Sequence, residues 1–136
     1  MNISHDVSGG AKYNEKNQTA LSIKGVGIDI EEVARFRAYS PAAKKSFYSA
    51  IFTQKEMQYC MSKKDPYPHF TARFCAKEAV TKALHGTHVD LKHIEITNDA
   101  QGRPKVSFKE KNNNYMIEIS LSHTKQHAIA IALWLR

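Results

Sequence analysis

Around Gly86 the apolar residues of this chain change their spacing. From about His69 to His85 they fall at helical intervals, with Phe70, Phe74 and Val80 set among several alanines, and Gly86 suits a C-terminal cap. From His93 onward the period becomes two, through His93–Thr97, Pro104–Phe108, Tyr115–Ser122 and His127–Leu135. Turn-forming residues separate these runs: Asp99-Ala100-Gln101-Gly102, Asn112-Asn113-Asn114 and His123-Thr124-Lys125-Gln126. Strands joined by such short connections run antiparallel. A first strand, then helices, then a run of antiparallel strands makes an α+β fold. In the last strand Ile129, Ile131, Leu133 and Leu135 alternate with alanines, which predicts burial on both faces.

The first strand is Gly25-Val26-Gly27-Ile28-Asp29-Ile30. Val26, Ile28 and Ile30 share one face; Gly25, Gly27 and Asp29 share the other. Glycine beside a carboxylate leaves room for a ligand or for another backbone, such as a tightly packed helix. Ser40-Pro41 reads as an N-cap followed by proline at the first helical position, with a helix running to about Ile51. Thr53-Gln54-Lys55-Glu56 is a capping box for a short helix ending near Met61. Asp65-Pro66-Tyr67-Pro68 reads as a stop and spacer. Residues 1–21 are polar, with Gly9-Gly10, and read as an extension ahead of a single domain at 22–136.

Charge and composition narrow the function. Twenty basic against thirteen acidic side chains give 136 residues a net charge of +7, which favours an anionic partner. The basic residues are spread out, against a nucleic-acid-binding tail. No apolar run reaches the roughly 18 residues of a membrane span, and the polar N-terminus does not read as a secretory signal. Cys60 and Cys75 lack a CxxC spacing and read as reduced thiols of a cytoplasmic protein. Seven histidines occur without a zinc pattern, no GK[ST] phosphate loop is present, and Gly25-Val26-Gly27 lacks the third glycine of a dinucleotide fingerprint.

Chemistry concentrates in Arg73-Phe74-Cys75-Ala76-Lys77-Glu78-Ala79-Val80-Thr81-Lys82. On a helix Glu78 and Lys82 lie one turn apart, Lys77 beside Glu78, and Arg73 four residues before Lys77. The ordinary alternative is a solvated face with an i,i+4 Glu78–Lys82 pair. If Asp29 meets Glu78, the two acids and a basic helix suit a hard divalent cation that shares its shell with phosphate oxygens. Ser122-His123-Thr124 can hold a phosphate or simply build a turn. A non-catalytic basic binding module would explain the charge but not the ordered acids.

Taken in order, Gly25-Val-Gly-Ile-Asp29-Ile, Arg35-Phe36, Phe52-Thr53-Gln-Lys-Glu56, Arg73-Phe-Cys-Ala-Lys77-Glu78-Ala-Val-Thr-Lys82-Ala, Gly86-Thr87, Gly102-Arg-Pro104 and Ser120-Leu-Ser-His123-Thr124 resemble holo-acyl-carrier-protein synthases, the short bacterial class of 4′-phosphopantetheinyl transferases. The resemblance covers about Ile23 to Leu135. It implies an antiparallel sheet packed against a long helix and shorter helices. It also implies transfer of the phosphopantetheine arm of coenzyme A to a serine of apo acyl carrier protein, with release of adenosine 3′,5′-bisphosphate, in fatty acid biosynthesis. Asp29 and Glu78 would be magnesium ligands, and with Lys82 they would form the catalytic set. Lys82 would neutralise the diphosphate. Arg73, Lys77, Gly102, Pro104, His123 and Thr124 would line the nucleotide site, and Arg35 would face the carrier protein. A homotrimer with sites between subunits, no nucleic acid and no membrane complete the expectation. The chain departs at Gly86-Thr87-His88, where the family usually has Gly-Thr-Gly.

Overall fold

The computed structural model describes residues 20–85, 87–110 and 113–136. Most of the expected extension, the cap at Gly86 and the start of the Asn112-Asn113-Asn114 turn lie outside these residues. Strand β1 (Ile23–Glu32) leads into a short helix α1 (Val33–Arg37), followed by α2 (Lys45–Ile51), α3 (Gln54–Met61) and the long α4 (Tyr67–Ala83). A 3-10 turn at Leu91–His93 opens the hairpin of β2 (Ile94–Asn98) and β3 (Pro104–Phe108), and β4 (Met116–His123) and β5 (His127–Leu135) close the chain. The larger sheet has the order β1-β5-β4, all antiparallel; β2 and β3 pair separately. This is the expected α+β arrangement of an antiparallel sheet against a long helix.

Register decides where the chemistry falls. Asp29 pairs with Ala130, which pairs with Leu121; two rungs on, on the same face, Glu31, Ala128 and His123 form a row. Helix α4 crosses this face from β4, where the His69 and His123 rings are 5.2 Å apart, over β5, where Cys75 Sγ is 3.5 Å from Ala128 O, to β1 at Gly25 and Gly27. The glycines face the backbone of α4: a Cβ on Gly27 would overlap Ala79 O, and one on Gly25 would overlap Ala83 O. Of the alternatives open in the sequence, the tightly packed helix is the one realised. Ala72, Ala76, Ala79 and Ala83 meet Ala128, Ala130 and Ala132 in one core, while Phe36, Tyr48, Phe52, Phe70 and Phe74 form an aromatic core on the other side of α4.

Several boundaries differ from the sequence reading. Ser40 accepts from Ala43 N at 3.2 Å, but the helix starts only at Lys45 after a turn. Tyr67 and Pro68 belong to α4 rather than to a spacer, because the first helical turn needs no amide donors. The last strand is not buried on both faces. Its alanine face is, but Ile129 and Ile131 are 39% exposed, alongside Val26, Ile28 and Ile30 at 56%, 57% and 64%. The outer face of the sheet is therefore an open apolar surface, more than a lone chain normally shows.

Candidate active site

The acids of β1 and α4 meet where the glycines bring the two backbones together. Asp29 projects from the helix-facing side of β1, next to Cys75, and its carboxylate lies near enough to Glu78 to raise that carboxyl's pKa. Burial contributes most to the rise and Asp29 next, opposed by Lys82 and Arg35. Lys82 Nζ donates to Asp29 Oδ1 at 2.9 Å and to Ile28 O at 2.9 Å. The ordinary i,i+4 alternative is not what forms: Lys82 pairs with Asp29 across the helix–strand seam, not with Glu78 along the helix. Burial, followed by the charge of Asp29, pushes the Cys75 thiol up to about 12. Cys60 and Cys75 are free and buried.

Two partly buried carboxylates that repel each other, partly answered by one lysine, are a donor set that a divalent cation fits. Glu78 is held above its ordinary range by burial first and by Asp29 second, and a cation bound between the acids would counter both. Among the described residues no third carboxylate, histidine or cysteine joins them to complete an all-protein shell. That suits magnesium, which keeps waters and phosphate oxygens in its shell.

A second, basic cluster lies at the other end of α4. Arg73 is 4% exposed, with its guanidinium 3.8 Å over the Tyr59 ring and one terminal nitrogen 2.9 Å from Asn98 Oδ1. Asn98 in turn donates to Gly102 O at 2.9 Å, tying Arg73 to the β2–β3 turn that carries Gly102 and Pro104. Arg73 Nε is buried without a partner. His69 lies against His123, its pKa lowered by burial first and then by His123, Lys63 and Arg73, which marks this corner as positively charged. The sequence reading did not include His69, Tyr59 or Lys63. His69 was accessible to it, since it lies one helical turn before Arg73.

Other expected residues fall elsewhere. Lys77 does not reach this basic corner: it is fully buried, with Nζ 2.7 Å from Glu56 Oε2, 2.6 Å from Ile51 O and 3.0 Å from Leu91 O. All three of its protons are committed within the protein. The Thr124 hydroxyl accepts from Gln126 N at 3.2 Å and His127 N at 3.1 Å, closing the β4–β5 turn. Arg35 is exposed, paired with Glu31 and 5.5 Å over the Phe74 ring, close enough to Glu78 to lower its pKa.

A profile of the 4′-phosphopantetheinyl transferase superfamily matches residues 25–132. Over 112 residues the chain is 40% identical to the holo-[acyl-carrier-protein] synthase of Thermodesulfovibrio yellowstonii, covering 82% of this chain and 97% of that protein. It is 37% identical over 111 residues to the enzyme of the same name from Chlorobaculum parvum, covering 79% and 95%. Among solved structures, a holo-(acyl-carrier-protein) synthase from Bacillus anthracis in complex with CoA (3′,5′-ADP) superposes with a TM-score of 0.71 at 30% identity, covering 85% of this chain and 98% of that one. The fold also matches the Neisseria meningitidis synthase with a TM-score of 0.72. Residues 25–132 hold both the strand acid and the helix acid, and on this similarity the chain belongs to the holo-[acyl-carrier-protein] synthases of the 4′-phosphopantetheinyl transferase superfamily.

Proposed function

We propose that this chain transfers the 4′-phosphopantetheine arm of coenzyme A to a serine of apo acyl carrier protein. The observation that carries the reading is the meeting of Asp29, Glu78 and Lys82 at the β1–α4 seam in a chain of this family. The serine oxygen attacks the phosphorus that bears the pantetheine arm, its hydroxyl proton passing to water at the site. The bond from that phosphorus to the bridging diphosphate oxygen breaks, and adenosine 3′,5′-bisphosphate leaves. Such a step needs positioning and charge neutralisation more than covalent chemistry.

Asp29 and Glu78 would hold the magnesium ion, which when bound would neutralise the diphosphate oxygens. Lys82 is half-exposed at the seam, and its ammonium can turn from Asp29 towards the bridging oxygen as charge develops there. Arg73 offers an unpartnered buried nitrogen and a guanidinium held rigid by Tyr59 and Asn98, a seat for a phosphate of the nucleotide. His123 and His69 border it, and Gly102 and Pro104 form its hairpin wall. Arg35, exposed on α1, suits an acidic carrier protein. The open apolar face formed by Val26, Ile28, Ile30, Ile129 and Ile131 supports a homotrimer in which each subunit covers its neighbour. Free buried thiols fit a cytoplasmic setting.

Incubation with apo carrier protein, coenzyme A and magnesium should add one phosphopantetheine to the carrier's mass. Asp29→Ala and Glu78→Ala should each abolish most of that gain while the protein stays folded. Near-normal transfer by either variant at saturating magnesium would remove that residue from the metal site.

A further inference from the structure

The residue before Glu78 is absorbed by no part of the proposed chemistry. Lys77 is 0% exposed, and its ammonium is held by three oxygens from three places: Glu56 on α3, Ile51 at the end of α2, and Leu91 at the entry to the hairpin. Its partner Glu56 is equally fixed. One carboxylate oxygen accepts from Thr53 N at 2.8 Å, completing the capping box of α3, and the other accepts from Ile96 N of β2 at 2.8 Å. This ion pair therefore ties α4 to four neighbouring backbone segments through directional bonds.

The opposite side of α4 is smooth. There it rests on Gly25 and Gly27 of β1 and Ala128, Ala130 and Ala132 of β5 through its own alanines. Backbone against backbone permits close approach but supplies few interlocking side chains to stop the helix turning about its axis. Glu78 lies about 100° round the helix from Lys77, so a rotation of the helix at Lys77 also moves the Glu78 carboxylate relative to Asp29. In many proteins apolar residues of similar volume can replace a buried ion pair at no loss of stability. What they could not supply is direction.

We propose that the buried Lys77–Glu56 pair is a positioning device that sets the rotation of α4 and thereby holds Glu78 against Asp29. It rests on the reading of Asp29 and Glu78 as a cation-binding pair. Lys77 touches no reacting group and acts only through its neighbour in the chain.

The test compares wild type with the neutral double variant Lys77→Met/Glu56→Gln and with Lys77→Arg. It measures cooperative unfolding, Mn2+ affinity in the presence of coenzyme A by electron paramagnetic resonance, and kcat and KM for carrier protein. In the folded double variant Mn2+ affinity and kcat should each fall about 10- to 100-fold, as when residues that orient metal ligands are lost, with KM for carrier protein changed by no more than about twofold. Lys77→Arg keeps the charge but crowds the three-oxygen seat, so it should show the same pattern more weakly; it carries the test if the double variant does not fold. A folded variant of either kind with wild-type Mn2+ affinity and kcat, differing only in melting temperature, overturns the proposal. A wild-type protein that binds no Mn2+ with coenzyme A would instead overturn the cation-site reading beneath it.

Discussion

Lys82 of α4 reaches across to Asp29 of β1, its ammonium 2.9 Å from the carboxylate, so the two catalytic candidates from distant parts of the chain form one ion pair at the seam of helix and sheet. The pair is half-exposed on the lysine side, so it adds less than about 1 kcal/mol to stability. Lys82→Ala should lower the melting temperature only modestly, through the acids it leaves unanswered. In turnover, losing a charge aimed at a diphosphate should lower kcat by about 10²- to 10³-fold. Rapid-quench transfer assays with separate kcat and KM values check this, and an equal loss of coenzyme A binding alone would point to ground-state contact.

Glu78 gives a stability signature that needs no substrate. Its folded pKa lies above the ordinary value of 4.5 because of burial first and Asp29 second. The folded protein thus favours protonated Glu78, and the stability this contributes is full below the ordinary value and lost as pH rises through the raised one. Glu78→Gln mimics the protonated form. It should be more stable than wild type at neutral pH, with the difference closing as pH falls below 4.5. Denaturant titrations at several pH values without divalent cation measure it. A Gln variant no more stable at pH 7 would contradict the crowding of the two acids.

Gly27→Ala tests the approach of helix to strand. The added methyl would overlap Ala79 O and lie 2.7 Å from Ala83 N, both backbone, so α4 must move away. Overpacking of this kind costs about 1–3 kcal/mol. Transfer should fall more than stability alone explains, since Asp29 and Glu78 separate. Thermal unfolding with an activity assay well below the melting temperature separates the two effects.

The outer sheet face predicts association. Ile28→Lys/Ile131→Lys should turn the proposed trimer into monomers, because it places charges on the exposed apolar face of the sheet, away from the alanine core on the other face. Light scattering should give about three times the 15.4 kDa chain mass for wild type and the single mass for the variant. An active wild-type monomer would end the idea of shared sites.

Arg35→Glu should raise KM for the carrier protein, with an effect that is largest at low salt and shrinks as salt screens it, and with coenzyme A binding unaffected. Equal effects on both substrates would assign Arg35 to the cofactor instead, as its proximity to Glu78 allows.

Much of this was legible in the residue order. The change from helical spacing to alternation fixed the α+β class, the Thr53/Glu56 box started α3, and Gly25, Gly27 and Asp29 shared a strand face because side chains alternate. What the sequence could not decide was distance. Forty-nine positions separate Asp29 from Glu78, and only the packing of α4 on glycine brings them together, redirecting Lys82 from Glu78 to Asp29. Lys77 and Glu78 are neighbours in sequence, yet one is inside and the other at the seam, because successive helical residues point about 100° apart and α4 has a core on two sides. Alternation likewise gave β5 two apolar faces, but whether both are covered depends on which elements lie above them. In this chain α4 covers only one.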